Sequence, residues 1–132
     1  MFNEDVMAIR LSEAEFGKLV DEAVQSLPEE FQPYMENLSV EIHPVPTRQL
    51  LHPMKVRGGR NLLGLYHGVP LTEKSVCAPV EWPERILIFQ RNIEGVCDSP
   101  QEVIEQVRKT VLHEVGHHFG MDEEDLDKFG YG

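Results

Sequence analysis

The feature that constrains the fold of this chain most is a capped amphipathic segment from Ser99 to Gly120. Ser99 suits the N-cap of a helix, Pro100 the first turn and Glu102 the third helical position. Gly120 can end the helix, because glycine readily adopts the left-handed backbone conformation found just past helix C-termini. Between these ends a broad apolar stripe recurs at Val103, Ile104, Val107, Val111, Leu112, Val115 and Phe119. The pattern predicts a helix that packs on a sheet.

A second helix is predicted from about Glu13 to Ser26. Ser12 and Glu15 have the spacing of a capping box. Apolar residues follow helical spacing at Leu11, Phe16, Leu19, Val20, Ala23, Val24 and Leu27. Pro28 and Pro33 then interrupt the regular pattern.

Three short segments have the character of strands. In LSVEIHPVP, Val40 and Ile42 alternate with polar neighbours before two prolines, which predicts a short strand near a sheet edge. Residues 44–61 are rich in proline and glycine and are predicted to be mostly loop, followed by a second strand at LLGLY. RILIFQ carries a run of four apolar residues, which predicts a strand covered on both faces.

The predicted order of elements is helix, strand, loop, strand, strand, helix and short helix. The last helix is placed over DEEDLDKF, because acidic residues at its start favour the positive end of the helix dipole. This order indicates an α+β fold rather than alternating parallel units. A chain of 132 residues is also long enough to bury one core, so we expect a single domain over residues 1–132.

Composition limits the classes of function. The chain has 23 acidic and 12 basic residues, a formal net charge of −11, so its surface should repel phosphate backbones and no nucleic acid partner is expected. No apolar run approaches the roughly 20 residues of a membrane span and no secretory signal is visible, so we expect a cytoplasmic protein with no membrane partner. Cys77 and Cys97 lack C-x-x-C spacing and are expected to be plain thiols. The oligomeric state is left open.

The predicted C-terminal helix carries H-E-x-x-H at His113, Glu114 and His117. Helical positions four apart differ by roughly 40° in direction, so the two imidazoles project from one side and can bind one metal ion. Zinc suits neutral imidazole, and a catalytic zinc usually takes three protein ligands and a water that becomes a nucleophile near neutral pH. Glu114 is then expected to act as general base, passing the water proton on to the leaving amine.

A third ligand is expected just beyond Gly120, where MDEED supplies four carboxylates. Glu123 is the first choice, because it stands at the last position of H-E-x-x-H-x-x-G-x-x-(H/D), with Glu in place of the more usual residue. Asp122 and Glu124 are the competitors. A carboxylate oxygen is an acceptable ligand for zinc.

The other histidines are expected to have supporting or ordinary structural roles. His118 falls within the apolar stripe of the helix, so it is predicted to be structural or to support the site rather than to bind metal. His43, His52 and His67 are isolated in segments that contain proline or glycine, and ordinary hydrogen bonds are expected for them. Tyr131 could polarise a substrate carbonyl, but an anchoring aromatic role is favoured.

These motifs resemble the small bacterial zincin-like metallopeptidases, also called minimal metalloproteases. The similarity runs from LLGLYHGVPLTEKSV through PERILIFQRNIE to VRKTVLHEVGHHFGMDEEDL, and combines G-L-Y-x-G-x-P-L-T with H-E-x-x-H-H-F-G. The resemblance implies a zincin-like α+β fold, with the active-site helix beneath a small sheet and the motif residues in their usual roles. It also implies a cleft beside an edge strand, where an extended peptide could be held by β-augmentation. Family members often carry Asp where this chain has Glu123.

The leading hypothesis from the sequence is a zinc-dependent metallopeptidase, a hydrolase that acts on a peptide or protein substrate. In this hypothesis His113, His117 and Glu123 bind Zn²⁺ and Glu114 is the catalytic base. The alternative is a non-catalytic metal-binding or protein-interaction module on a zincin-like fold, in which a fourth protein ligand such as His118 or another acidic residue closes the coordination sphere. A third possibility is a scaffold that binds no metal.

Overall fold

The computed structural model of the chain describes residues 9–36, 38–52, 61–68 and 84–128. In chain order they form α1 (Glu13–Gln25), a 3-10 helix (Glu29–Met35), β1 (Leu38–His43), α2 (Arg48–Leu51), β2 (Gly64–His67), β3 (Glu84–Phe89), α3 (Gln90–Glu94), α4 (Pro100–His118) and α5 (Glu123–Asp127). Helices and strands do not alternate as repeated parallel units, so the predicted α+β class is confirmed.

The three strands form one mixed sheet in the order β1-β3-β2. Strand β1 pairs with β3 in parallel, and β2 pairs with β3 antiparallel. The central strand β3 is the apolar run of RILIFQ, and its last four residues, Ile86 to Phe89, are fully buried. The prediction of a strand covered on both faces is confirmed. In the sheet that the described residues form, β1 lies at an edge, as predicted.

Helix α4 covers one face of this sheet. Its buried residues include Val103, Val107, Val111 and Val115, the four-residue steps seen in the sequence. They pack in one cluster with α1, the 3-10 helix and the Ile86 and Ile88 side chains of β3. A smaller cluster of Leu51, Leu87 and Phe89 covers the opposite face. The main core therefore lies between the sheet and the helix that carries H-E-x-x-H.

The predicted helix starts are confirmed by their caps. The Ser12 hydroxyl accepts the Glu15 N–H at 3.0 Å, and the Glu15 carboxylate accepts the Ser12 N–H at 2.9 Å. At α4 the Ser99 hydroxyl accepts the Glu102 N–H at 3.2 Å. These side chains satisfy backbone donors that have no partner within the helix.

The sequence did not predict the 3-10 helix, α2 or α3. The 3-10 helix includes Pro33, so proline ended the regular α-helix but not all helical structure; the buried side chains of Phe31 and Met35 hold it to the core. Helix α2 lies inside the segment predicted as mostly loop. Its N-cap is Thr47, whose hydroxyl accepts the Leu50 N–H at 3.1 Å. Tertiary burial decides such short segments, because isolated helices of this length are unstable.

Within the described ranges, no helix has both the length and the apolar character needed to cross a membrane. The thiol of Cys97 is buried, and this burial, with smaller effects from Glu102 and Asp98, raises its pKa to about 11. A thiol with so high a pKa is a poor nucleophile, in keeping with a plain structural cysteine. Cys77 and Tyr131 lie outside the described residues.

A buried carboxylate joins α3 to the segment before α1. Glu94, whose side chain is 2% exposed, accepts hydrogen bonds from the Leu11 N–H at 3.0 Å, Gln90 at 2.9 Å and Arg91 at 2.7 Å. Burial alone would raise the pKa of Glu94, but these hydrogen bonds and the Arg91 charge outweigh it and hold the pKa below its ordinary value. Ionised Glu94 therefore stabilises the fold.

We expect Glu94→Gln to lower the free energy of unfolding by about 2 kcal/mol at neutral pH, because it removes charge-assisted hydrogen bonds. A carboxyl group with a depressed folded pKa stabilises the protein above its unfolded pKa, and this contribution is lost as the pH falls through the folded pKa. The difference between the wild type and the variant should therefore shrink as the pH falls below the ordinary value of 4.5.

Urea unfolding at a series of pH values measures this difference. Glu22→Gln, at an exposed position of α1, is the matched control and should change little at any pH. A Glu94→Gln effect that stays constant from neutral pH to strong acid would show that charge is not what Glu94 contributes.

Strand β2, at the other edge of the sheet that the described residues form, lies very close to α4 at Gly64. A Cβ atom at this position would come within 2.5 Å of Thr110 Cγ2 and 3.1 Å of the Leu87 carbonyl oxygen. Such contacts are closer than packed atoms tolerate, so the strand and the helix can approach this closely because residue 64 has no side chain.

Gly64→Ala is therefore expected to destabilise the protein by about 1–3 kcal/mol through overpacking. Adding Thr110→Ser, which removes the clashing methyl group, should restore part of that loss in a double-mutant cycle. Gly17→Ala in α1 is the control. Its Cβ atom would lie at an ordinary contact distance of 3.9 Å from Ile42 of β1, and alanine favours a helical backbone. Denaturant unfolding of Gly64→Ala, Thr110→Ser, the double variant and Gly17→Ala measures the free energies of unfolding. If the effects of the Gly64 and Thr110 substitutions simply add, the two side chains do not clash and the overpacking explanation is wrong.

Candidate metal centre

The last two turns of α4 carry the predicted site. His113 and His117 lie one turn apart, with ring centroids separated by 5.8 Å and side chains 24% and 54% exposed. Both rings are therefore accessible from solvent at the end of a helix whose opposite face is fixed in the core. The sequence placed them on one side of the helix, and the structure shows them there.

The chain turns back sharply after α4. Gly120 has a φ of 84°, the left-handed conformation that favours glycine, and the Met121 N–H donates to the Gly116 carbonyl at 2.8 Å. Helix α5 then begins at Glu123 and buries Leu126 near Gly116. This turn returns the acidic segment to the helix that carries the histidines.

As a result the Glu123 carboxylate lies against both histidines. Its Oε1 is 3.1 Å from His113 Nε2, and its Oε2 is 3.3 Å from His117 Nε2. The Glu123 side chain is 68% exposed, so it is held by these contacts rather than by packing. The structure thus brings together the three residues that the sequence proposed as metal ligands.

The two competing carboxylates lie differently. Asp122 is the N-cap of α5, and its carboxylate accepts the Asp125 N–H at 2.8 Å. Hydrogen bonding from the Asp125 backbone lowers the pKa of Asp122, so the capping carboxylate stays ionised. Glu124 is exposed in the first turn of α5. Asp122 is committed to ending the turn, which leaves Glu123 as the carboxylate that faces the rings.

The ring of His113 has a hydrogen-bonding partner at each nitrogen. Its Nδ1 lies 2.9 Å from the Lys109 carbonyl oxygen, which can only accept, so Nδ1 carries a proton. In a neutral ring Nε2 then has a lone pair, and that lone pair would face the Glu123 carboxylate at 3.1 Å. Two acceptors at this distance repel unless a proton or a metal ion lies between them.

The donor chemistry of this group fits zinc. Two imidazole nitrogens and a carboxylate oxygen are ordinary zinc ligands, and a backbone carbonyl that fixes the other ring nitrogen is the usual support for a metal-binding histidine.

The three side chains do not yet converge as a finished site. Among the described residues, no group of three or more His, Cys, Asp and Glu side chains is arranged so that it could hold a metal ion as it stands. Glu123 offers a different oxygen to each ring, so the carboxylate bridges the histidines instead of sharing one point with them.

Glu114 points to the neighbouring edge strand. Its side chain is half-buried, and its Oε1 accepts the backbone N–H of Tyr66 in β2 at 3.2 Å. The register of β2 and β3 turns this N–H away from β3. The carboxylate predicted to be the base is thus held beside the outer edge of the sheet.

A cleft of about 280 Å³ opens between this edge and α4. One wall consists of residues 61–64, and the other of Gln106, Lys109, Thr110, His113 and Glu114 on α4. His113 and Glu114 therefore face the same space. A cleft beside an edge strand is what the resemblance implied.

The remaining histidines have other neighbours. His118 stacks on Tyr66, with ring centroids 3.9 Å apart, and its Nε2 is 4.0 Å from Glu84 Oε1. His43 lies 3.1 Å from the Glu41 carboxylate on β1. Burial, aided by Arg85 and partly opposed by Glu41, lowers the pKa of the half-buried His67. His52 follows the last residue of α2.

Sequence reasoning missed the contacts that fix the motif residues in place. The Lys109 carbonyl and the Tyr66 backbone N–H have no signature of their own, because every residue of these types has such groups. The G-L-Y segment was a usable signal, since it places Gly64 and Tyr66 on the strand next to the motif helix.

A family model for zincin-like metallopeptidases matches residues 35–131, so the chain belongs to the zincin-like metallopeptidase family. Comparison with curated proteins gives no match. Among solved structures, a conserved hypothetical protein from Thermus thermophilus is similar, with 19% identity, a TM-score of 0.47 and coverage of 82% of this chain and 94% of that one. The family match confirms the predicted resemblance and the zincin-like α+β fold.

Proposed function

We propose that this protein is a zinc-dependent metallopeptidase that hydrolyses peptide bonds in a peptide or protein substrate. The observation that carries the proposal is the position of the Glu123 carboxylate, 3.1 Å and 3.3 Å from the Nε2 atoms of His113 and His117. Membership of the zincin-like metallopeptidase family supports the same class of activity.

His113, His117 and Glu123 would hold the zinc. The hydrogen bond from His113 Nδ1 to the Lys109 carbonyl leaves the lone pair of Nε2 as the one that can bind the metal. When bound, zinc would supply Lewis-acid chemistry, polarising the scissile carbonyl and making water a nucleophile near neutral pH.

Glu114 would act as the general base. It follows the first ligand directly on α4 and faces the cleft, so its carboxylate can accept the proton of the attacking water. The same group can then donate that proton to the leaving amine nitrogen. A purely structural metal site has no use for such a base, which favours an enzyme over a non-catalytic binding module.

The outer edge of β2 would hold the substrate. The N–H and carbonyl of Gly64 and the carbonyl of Tyr66 face away from β3, because the hydrogen-bonded pairs of the ladder fall on alternate residues, as in the Phe89 N–H to Leu63 carbonyl bond of 3.0 Å. The outward N–H of Tyr66 is already bonded to Glu114. An extended peptide can pair with such an edge by β-augmentation. It would then run along the cleft past His113 and Glu114.

The metal ligands can be tested by zinc titration of the purified protein. We expect one equivalent of zinc in the wild type, none in His117→Ala, and an affinity more than about a hundredfold lower in Glu123→Ala, since even loss of a supporting residue costs about 10- to 100-fold. Glu124→Ala is the control, because this neighbouring acid is exposed and should leave affinity unchanged. Equal losses from the Glu123 and Glu124 variants would argue for bulk charge instead of coordination.

The role of Glu114 can be tested separately. Glu114→Gln should keep stoichiometric zinc and lose hydrolysis of a mixed library of unstructured peptides by about 10²–10⁴-fold, the usual contribution of a general base. Mass spectrometry of the cleaved library measures the loss. Glu105→Gln, at an exposed position of the same helix, is the control. A zinc-loaded wild type that cleaves nothing would favour the non-catalytic module, and an active Glu114→Gln would remove Glu114 from the mechanism.

A further inference from the structure

Helix α4 presents a second row of residues beside the metal-facing one. Thr110, Glu114 and His118 recur at four-residue steps and all meet strand β2: Thr110 meets Gly64, while Glu114 and His118 meet Tyr66. From Thr110 to Glu114 the helix advances about 6.0 Å and from Gly64 to Tyr66 the strand advances about 6.6 Å, so these two contacts match in spacing. His118, one turn further along the helix, contacts the ring of Tyr66.

Tyr66 is the link between the strand and the proposed base. Its backbone N–H donates to Glu114 Oε1 at 3.2 Å, so the direction of the carboxylate depends on where the backbone of residue 66 lies. A hydrogen bond to an ionised acceptor is among the stronger ones in proteins, and it is sensitive to small changes of distance and angle. Any contact that fixes the backbone of Tyr66 therefore also helps to fix the orientation of the Glu114 carboxylate.

The ring of His118 stacks on the ring of Tyr66, which also packs against the main core and hydrogen bonds through its hydroxyl to Glu84. The two rings are 3.9 Å apart and inclined by 20°, a stacked arrangement. The Glu84 Oε1 atom is 4.0 Å from His118 Nε2, which is too far for a hydrogen bond. The flat ring of His118, rather than its nitrogen atoms, makes the close contact.

We propose that His118 is a positioning residue, whose ring stacks on Tyr66 and so keeps the Tyr66 N–H on the carboxylate of Glu114. The inference rests on the proposed role of Glu114 as base. It gives the second histidine of H-E-x-x-H-H-F-G a function that is distinct from metal binding: the first row of the helix faces the metal ligands, and the second row holds the edge strand and the base.

The test is the backbone amide of Tyr66, observed by NMR in the full chain. Glu114→Ala defines the signal that results when the carboxylate is absent. In His118→Ala we expect Tyr66 amide exchange to be about tenfold faster and the amide proton shift to move toward the Glu114→Ala position, because a charge-assisted hydrogen bond is weakened. In His118→Phe, which keeps a flat ring, exchange should stay within about twofold of the wild type.

Two further variants separate stacking from other causes. Tyr66→Phe keeps the ring and removes the hydroxyl that hydrogen bonds to Glu84, so it should behave as the wild type. His118→Leu replaces His118→Ala if the smaller side chain unfolds the protein, and it should also speed exchange. The amides of Ile86 and Ile88 on β3 report global opening and should be unaffected.

Several results would overturn the proposal. A Tyr66 amide that is unchanged in His118→Ala or His118→Leu would show that the ring does not hold it. Equal damage in His118→Phe would show that an imidazole nitrogen is needed, and fast exchange in Tyr66→Phe with none in His118→Ala would assign the role to Glu84. Because these signals need neither zinc nor substrate, failure here is distinguishable from failure of the proposed peptidase activity.

Discussion

The close approach of β2 to α4 is the contact on which the candidate site depends. At Gly64 the distance is so short that a single added carbon would lie 2.5 Å from Thr110. Two residues further along β2, the same close approach brings the Tyr66 N–H to Glu114. A wider separation would remove that hydrogen bond and open the wall of the cleft, so a packing constraint in the core sets the geometry of the proposed base.

A second constraint acts at the other end of the motif. The left-handed Gly120 and the Asp122 cap turn the chain so that α5 begins beside α4. The carboxylate of Glu123 then meets two rings that are ten and six residues earlier in the chain. The cluster of His113, His117 and Glu123 needs both helices, because α4 carries the two histidines and α5 carries the glutamate.

Local sequence patterns predicted the parts of the fold that depend on local chemistry. The capped and amphipathic segments became α1 and α4, and the apolar run became the buried central strand β3. Helices α2 and α3 were missed because they are too short to show a periodic pattern, and burial of residues such as Leu51 and Ile93 decides them. Likewise, the spacing of H-E-x-x-H predicted which side chains share a face. It could not predict the contact of Glu114 with a residue 48 positions away, which depends on sheet register.

The periodicity of a single helix explains how so small a chain can build this site. Successive residues differ by about 100° in direction, so His113 and Glu114 belong to adjacent rows, each of which repeats every four residues. The row of His113 and His117 meets Glu123, while the row of Thr110, Glu114 and His118 meets the edge strand. The buried valines, on the side of the helix away from His113, hold the helix against the sheet. Since all three faces belong to one rigid element, fixing the helix in the core also fixes the proposed ligands, the proposed base and the peptide-binding edge relative to one another.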